Sequence, residues 1–323
     1  MRFSAIRLTI DGVVRVLALA DVHAAIAALP AATRDRVSRL CDALVAARPA
    51  IAGMAFDRPH VMGIVNVTPD SFSDGALRPG GGDPVVAARA MMAAGASIVD
   101  LGGESTRPGA ADVAVDDELA RVLPVLRRLG PLDGEGALPV SIDTRKAVVM
   151  AAALDAGAVI VNDVSALTFD PAALALVAAR GCPVVLMHAQ GSPATMQVAP
   201  TYTDAVADVF DWLDARIAAC VAAGIARGRI IADPGIGFGK TSAHNAALLH
   251  GLATFHALGV PLMLGASRKA LIARLAGDDA PVGERLGGSL ALALHGVAQG
   301  VQIVRVHDVA ATVQAVRVGQ AVA

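Results

Sequence analysis

The chain has 323 residues, of which 55% are hydrophobic and 17% charged, with a formal net charge of −2. That balance offers no basic field for a polyanion, and one Trp and one Tyr leave few surfaces on which bases could stack, so nucleic acid is not an expected partner. Three cysteines, Cys41, Cys182 and Cys220, lie far apart with no CxxC pair, which argues against a disulfide frame or zinc finger and suits a reducing cytoplasm.

Residues 1–58 read as an N-terminal extension of unassigned role. Asp11, Arg15 and Asp21 interrupt the first apolar run before a signal-peptide core can form. Ile6, Leu8 and Ile10 alternate, Asp11-Gly12 suits a tight turn, and Val14 and Val16 follow, which predicts a β-hairpin. Val37, Leu40, Cys41, Leu44 and Val45 then recur at helical spacing and predict a packing stripe on a helix. Deleting 1–58 is expected to leave catalysis within about threefold while exposing an apolar face.

From 59 to 319, short β-branched runs alternate with Ala/Leu-rich stretches, the pattern of repeated βα units. Eight strands are predicted, at 61–67, 97–101, 140–143, 159–163, 184–187, 230–233, 261–264 and 302–306. Eight units favour an α/β fold of the (β/α)8 TIM-barrel type over an open doubly wound sheet. The uncharged stretch 286–304 contains Gly287, Gly288, Ser289, His295, Gln299 and Gln302, so it reads as a helix entering the last strand, not a membrane span.

In such a barrel the carboxyl ends of the strands carry the chemistry. Polar residues stand at nearly every one: Asn66, the Gly102-Gly103-Glu104-Ser105-Thr106-Arg107 turn, Asp143, Asn162 with Asp163, His188, Asp233, Ser267-Arg268-Lys269, and Arg305 with His307. Two patterns are set aside. Gly239-Lys240-Thr241 lacks the earlier glycine of a P-loop, with Pro234 in its place, and His244, His250 and His256 are spaced six apart and share no helical face.

The segments GIVNVTPDSFSDG (63–75), GGESTRPG (102–109), SIDT (141–144), NDVS (162–165), MHAQGSPATMQ (187–197), DPGIGFGKT (233–241), SRK (267–269) and RVHDV (305–309) resemble, in order, the signatures of the dihydropteroate synthases. The resemblance implies a transferase of folate biosynthesis that joins a dihydropterin diphosphate to p-aminobenzoate, working as a homodimer with Mg²⁺. It places Asp143, Asn162, Asp233 and Lys269 around the pterin, with Met187 lining the pocket and Arg305 stacked on the ring. It makes Asn66 a metal ligand, with Asp74 approaching the metal through water, and puts Thr106, Arg305 and His307 on the diphosphate. Phe72, Pro108 and Phe238 would form the p-aminobenzoate slot and Arg107 would brace the first loop, so that Lys269, Arg305, His307 and Arg107 are the expected catalytic set.

One departure is Ala270, where many relatives carry a hydroxyl residue that reaches the p-aminobenzoate carboxylate. Two other readings compete with this one. A methyltetrahydrofolate–corrinoid methyltransferase would not need the TPDSFSDG and STRPG loops or the SRK lysine, and a non-catalytic pterin-binding paralogue would be expected to lack Asn66, Arg107 or Lys269, all of which are present. Lysine occurs only at Lys146, Lys240 and Lys269 among 27 basic residues, so a lysine beside Arg268 implies a need for a compact ammonium. On sequence alone, Lys146→Arg is expected to be nearly silent.

Overall fold

The computed structural model describes residues 4–10, 13–68, 82–105, 109–130, 139–191 and 195–322. The predicted hairpin forms from β1 (Ala5–Ile10) and β2 (Val13–Ala18), antiparallel from Ala5 opposite Ala18 to Ile10 opposite Val13. Two helices follow, Leu19–Ala27 and Ala31–Val45. The second buries Val37 and packs Leu40 and Leu44 on the main core, whereas Val45, the last member of the predicted stripe, points to solvent.

The barrel is built from β3 (His60–Asn66), β4 (Ile98–Gly102), β5 (Val140–Asp143), β6 (Ile160–Asp163), β7 (Val184–Met187), β8 (Ile230–Asp233), β9 (Met263–Leu264) and β10 (Ile303–Val306). All pairings are parallel in the order β8-β7-β6-β5-β4-β3-β10-β9, and a bridge between Ala232 and Leu262 closes the ring. The predicted strands are thus found within two residues at each end, with β9 the shortest. The longest helix between strands, Ala205–Ala222, is capped by Asp204, whose carboxylate accepts from Val206 N at 2.9 Å and Ala207 N at 3.1 Å. The stretch 286–304 forms the helix Leu286–Ala298 and then β10, and no helix among the described residues is long and apolar enough to cross a membrane.

Strand side chains alternate between two apolar environments. Val99, Leu101, Val140, Ile142, Val161, Val184, Leu186, Ile230 and Val304 belong to the cluster shared with the surrounding helices. Met62, Ile98, Ile160, Val185, Ile231, Met263 and Ile303 belong to a second cluster that fills the barrel floor. Ile51 and Met54, each 2% exposed and joined by an antiparallel bridge, complete that floor. Behind them His60 bonds Ala55 O through Nε2 and Ser97 Oγ through Nδ1, both at 2.8 Å, while Arg48 donates to Ala43 O and His256 O. Residues 51–54, read from sequence as part of the extension, are packing elements of the barrel.

Candidate active site

Two residues along four of the strands from the apolar floor, the inner face turns polar. Asp100 follows Ile98 on β4, Asn162 follows Ile160 on β6, Asp233 follows Ile231 on β8 and Arg305 follows Ile303 on β10. Ser141 and Asp143 share the inner face of β5, because Val140 and Ile142 face the helices. Arg305 Nε donates to Asp100 Oδ2 at 2.6 Å and its NH2 to Asp143 Oδ2 at 2.7 Å, while Asn162 Nδ2 donates to the same Asp100 oxygen at 2.9 Å. Among the described residues, Asp100 Oδ1 and Ser141 Oγ are buried and have no partner.

Electrostatics follow from this enclosure. Burial pushes Asp143 up to about 7; Arg305 opposes that shift and the charge of Asp100 adds to it. Asp233 is likewise raised by burial, with Lys269 opposing, and its Oδ1 accepts from Gly235 N at 2.7 Å. Burial draws Lys269 down to about 8 against the attraction of Asp233. Its Nζ donates to Ile236 O and lies 4.5 Å from the centre of the Phe238 ring. Two glycines line the mouth. A Cβ on Gly102 would stand 3.7 Å from both Asn66 Oδ1 and Asp143 Oδ2, and one on Gly265 would stand 3.8 Å from Asp233 Oδ2.

Among the residues singled out from sequence, Asp143, Asn162, Asp233, Arg305 and Lys269 converge on this mouth, with Asn66 at its edge and Met187 beneath the turn at Gly235. His307 is oriented by Ser267, whose Oγ lies 3.2 Å from its backbone N and 3.1 Å from Nδ1. The adjoining Arg268 adopts φ +57 and pairs with Asp308 through both of its carboxylate oxygens. Phe72, Asp74, Thr106, Arg107 and Pro108 lie outside the described residues. Ala270 is the exposed first residue of the seven-residue helix Ala270–Ala276.

Two rim residues face elsewhere. Asp163 accepts from Ser165 N at 2.7 Å and Leu167 N at 2.9 Å, which fixes the turn after β6, and His188 lies against Trp212 and Lys240. Lys146 also departs from expectation. It is buried, 2.5 Å from Glu118 Oε2 and 3.1 Å from Glu104 Oε1, so Lys146→Arg cannot be a silent control. Beside it Arg145 pairs with Glu104 at 3.1 Å and Asp112 at 3.0 Å, and Glu104 Oε1 accepts from Val113 N. Through these bonds the buried Glu104 ties Val113, on one side of the segment containing Thr106 and Arg107, to its own position on the other.

Sequence reading missed Asp100 because it sits inside the apolar run Ser-Ile-Val-Asp-Leu. Strand parity was the available signal, since Asp100 is two residues from Ile98 and two from Gly102 and must share their face.

Residues 62–307 match the family model described as pterin binding enzyme. The dihydropteroate synthase of Escherichia coli K12 is 49% identical over 263 residues, covering 81% of this chain and 91% of that protein. A structure of the Xanthomonas albilineans dihydropteroate synthase with 4-aminobenzoic acid is 48% identical, with a TM-score of 0.75, covering 85% of this chain and 97% of that one. Another from the same organism, in complex with 7,8-dihydropteroate, is 46% identical with a TM-score of 0.72 over 83% and 95% of the two chains. Eight parallel strands in a closed ring, a buried polar layer at their carboxyl ends and this degree of identity place the chain in the dihydropteroate synthase family of pterin-binding enzymes.

Proposed function

We propose that this protein condenses (7,8-dihydropterin-6-yl)methyl diphosphate with p-aminobenzoate, giving 7,8-dihydropteroate and diphosphate. The observation that carries the reading is the polar layer of Asp143, Asn162, Asp233 and Arg305 above an apolar floor. A pterin presents a donor edge, its 2-amino and N3 hydrogens, beside O4 and N5 acceptors. Buried carboxylates meet such donors with charge-assisted bonds about twice as strong as neutral ones. The Lys269 ammonium, at the mouth beside Asp233, answers the acceptor edge. Arg305 supplies a planar cation for the ring face and the diphosphate, a role for which Lys is poorly shaped.

The aryl amine nitrogen attacks the C6 methylene, the carbon–oxygen bond to diphosphate breaks, and the amine loses a proton to solvent. This nucleophile is neutral at ordinary pH, so the site needs no strong general base. Stabilising the departing charge is the larger demand. Arg305 and His307 serve it from β10 and the turn that follows.

Mg²⁺ fits the donor set. The described residues contain no group of three His, Cys, Asp or Glu that could hold a metal by themselves; the family resemblance assigns the protein oxygen to Asn66, whose Oδ1 lies at the mouth 3.7 Å from where a Cβ on Gly102 would stand. Mg²⁺ commonly takes one or two protein oxygens and completes its shell with waters and substrate phosphate oxygens. When bound there it would neutralise charge on the diphosphate. The reading further includes a homodimer in a reducing cytoplasm, for which sedimentation of the purified protein and localisation of a tagged copy are the direct checks.

The deciding experiment mixes the purified protein with dihydropterin diphosphate, p-aminobenzoate and Mg²⁺. Dihydropteroate and diphosphate should appear in equal amounts; a folded protein that forms neither refutes the assignment.

A further inference from the structure

Five consecutive carbonyls in the loop after β8 each receive a side-chain donor. Gly235 O and Phe238 O both accept from Lys240 Nζ at 2.9 Å, and Ile236 O accepts from Lys269 Nζ. Gly237 O accepts from Gln197 Nε2 and Gly239 O from the Tyr202 hydroxyl, both at 2.8 Å. Two of the three lysines in the chain therefore supply three of the five bonds.

Lys240 occupies the inside of this loop. It is 1% exposed, and Nζ also lies 2.9 Å from His188 Nδ1 and 3.2 Å from His188 O. Burial together with the Lys240 charge holds the His188 ring down at about 3, so the ring is neutral and Nδ1 accepts. No carboxylate is among these four partners. A buried cation normally answers a buried anion, because desolvating it alone is costly. Here burial draws the ammonium down to about 7 against the attraction of Asp233, and its hydrogen bonds go to the His188 ring and to backbone oxygens, so what it secures is backbone geometry.

Glycines let the loop press against its support. Gly235 and Gly239 have φ of +69 and +62, and a Cβ would stand 1.9 Å from His188 O at the first and 2.4 Å from Gln190 O at the second. Gly237, at φ +87, brings its Cα side within 3.3 Å of Lys269 Cδ when a Cβ is added. The loop so shaped offers Ile236 O to the Lys269 ammonium and sets the Phe238 ring beside it.

We propose that Lys240 is a positioning residue: by gathering the carbonyls of Gly235 and Phe238 against His188 it fixes the loop that holds Lys269 and Phe238 at the mouth of the site. It touches no substrate and acts through those two residues. The consequence for p-aminobenzoate rests on the function proposed above, but the placement of Lys269 does not.

With only three lysines, the chain labelled with ¹⁵Nζ-lysine gives a spectrum that can be assigned by substitution. In Lys240→Met the Lys269 ammonium resonance should shift and its hydrogen exchange should quicken by about tenfold or more, as expected when a preorganised contact is released. The Lys146 signal, held by Glu104 and Glu118, should stay in place. KM for p-aminobenzoate should rise by about tenfold, with a smaller change in kcat, because the slot is loosened before the reacting atoms are. Tyr202→Phe and Gln197→Ala, which take one donor each from the outer side of the loop, should move the Lys269 signal in the same direction to a smaller extent. Should Lys240→Met not fold, these two variants decide the matter by the same signal. A Lys269 resonance that keeps its wild-type position and exchange rate in the folded variants overturns the inference. A moved resonance in Lys240→Met, together with an unsubstituted protein that forms no dihydropteroate, sinks the proposed function and leaves the positioning role standing.

Discussion

Arg305 faces Asp143 across the barrel mouth with NH2 and Oδ2 at 2.7 Å, joining β10 to β5 through a bond between residues 162 positions apart in sequence. Burial nevertheless keeps the Asp143 carboxyl up at about 7, so its charge changes within the working pH range. A carboxyl raised in this way favours the folded state most below the ordinary value near 3.9, and that contribution is lost as pH rises through about 7. Pterin donors require the ionised form, so affinity for a pterin ligand should climb as pH rises through about 7 and level off above about 8. Asp143→Asn should remove the climb and weaken binding by about 2 to 5 kcal/mol, the usual cost of deleting one partner of a desolvated pair. Asp204→Asn, which keeps a good helix cap at an exposed site, should bind like the parent. Calorimetric titration across this range checks both, and equal affinities would remove Asp143 from the pocket.

Asp100 adds to the upward shift of Asp143 while holding the other edge of the Arg305 guanidinium at 2.6 Å. In Asp100→Asn the neighbouring negative charge is gone and Asp143 becomes the one carboxylate bonded to Arg305. Both changes favour the ionised Asp143, so the midpoint of the pH dependence should move to lower pH. Turnover should fall by about tenfold or more as Arg305 loses its orientation. An unmoved midpoint would show that the two carboxyls do not communicate.

Lys269→Arg should fold and lose roughly a hundredfold in kcat/KM, about 2.7 kcal/mol, because the longer planar guanidinium cannot occupy the space between Ile236 O and the Phe238 ring. Retention of activity within about threefold ends the specific role of this lysine. Lys146→Arg has a different outcome from the silent one its sequence context suggests. Forcing a larger cation between Glu104 and Glu118 should lower stability by about 1 to 3 kcal/mol in a denaturant titration.

The floor residues make truncation depend on where the cut falls. Removing 1–29 takes away the hairpin and first helix, where Val13 and Val16 are already exposed, and should leave a folded protein. Removing 1–58 also takes Ile51 and Met54 from the barrel and should give an unstable or aggregated product. Met54→Ala isolates the effect and should cost about 2 to 5 kcal/mol, against less than about 0.5 for Val16→Ala. Comparable losses from the two substitutions would place the boundary back at 58.

Exhaustive chelation should abolish product formation and Mg²⁺ should restore it, while the thermal midpoint of the protein alone moves little, since Asn66 by itself cannot bind the ion tightly. Full turnover without divalent metal takes Asn66 out of that role.

What the chain determines by itself is whatever repeats at short range. Short β-branched runs between Ala/Leu-rich stretches mark the eight strands within two residues, and short motifs at their ends single out Asp143, Asn162, Asp233, Lys269 and Arg305. Parity along β4 even contains Asp100, once the strand is known to lie between Ile98 and Gly102. Partnership was decided only in three dimensions. Asp100 and Arg305 are 205 residues apart, and nothing near either one announces that they share a bond. Lys146 and Lys240 look like ordinary cations until the barrel closes around them and supplies carboxylates to one and backbone carbonyls to the other. Ile51 and Met54 read as part of an extension until the ring of strands leaves an open floor that only apolar side chains can fill. Local sequence sets which way a side chain points along its own strand; what it meets there depends on desolvation and distance, which no local pattern carries.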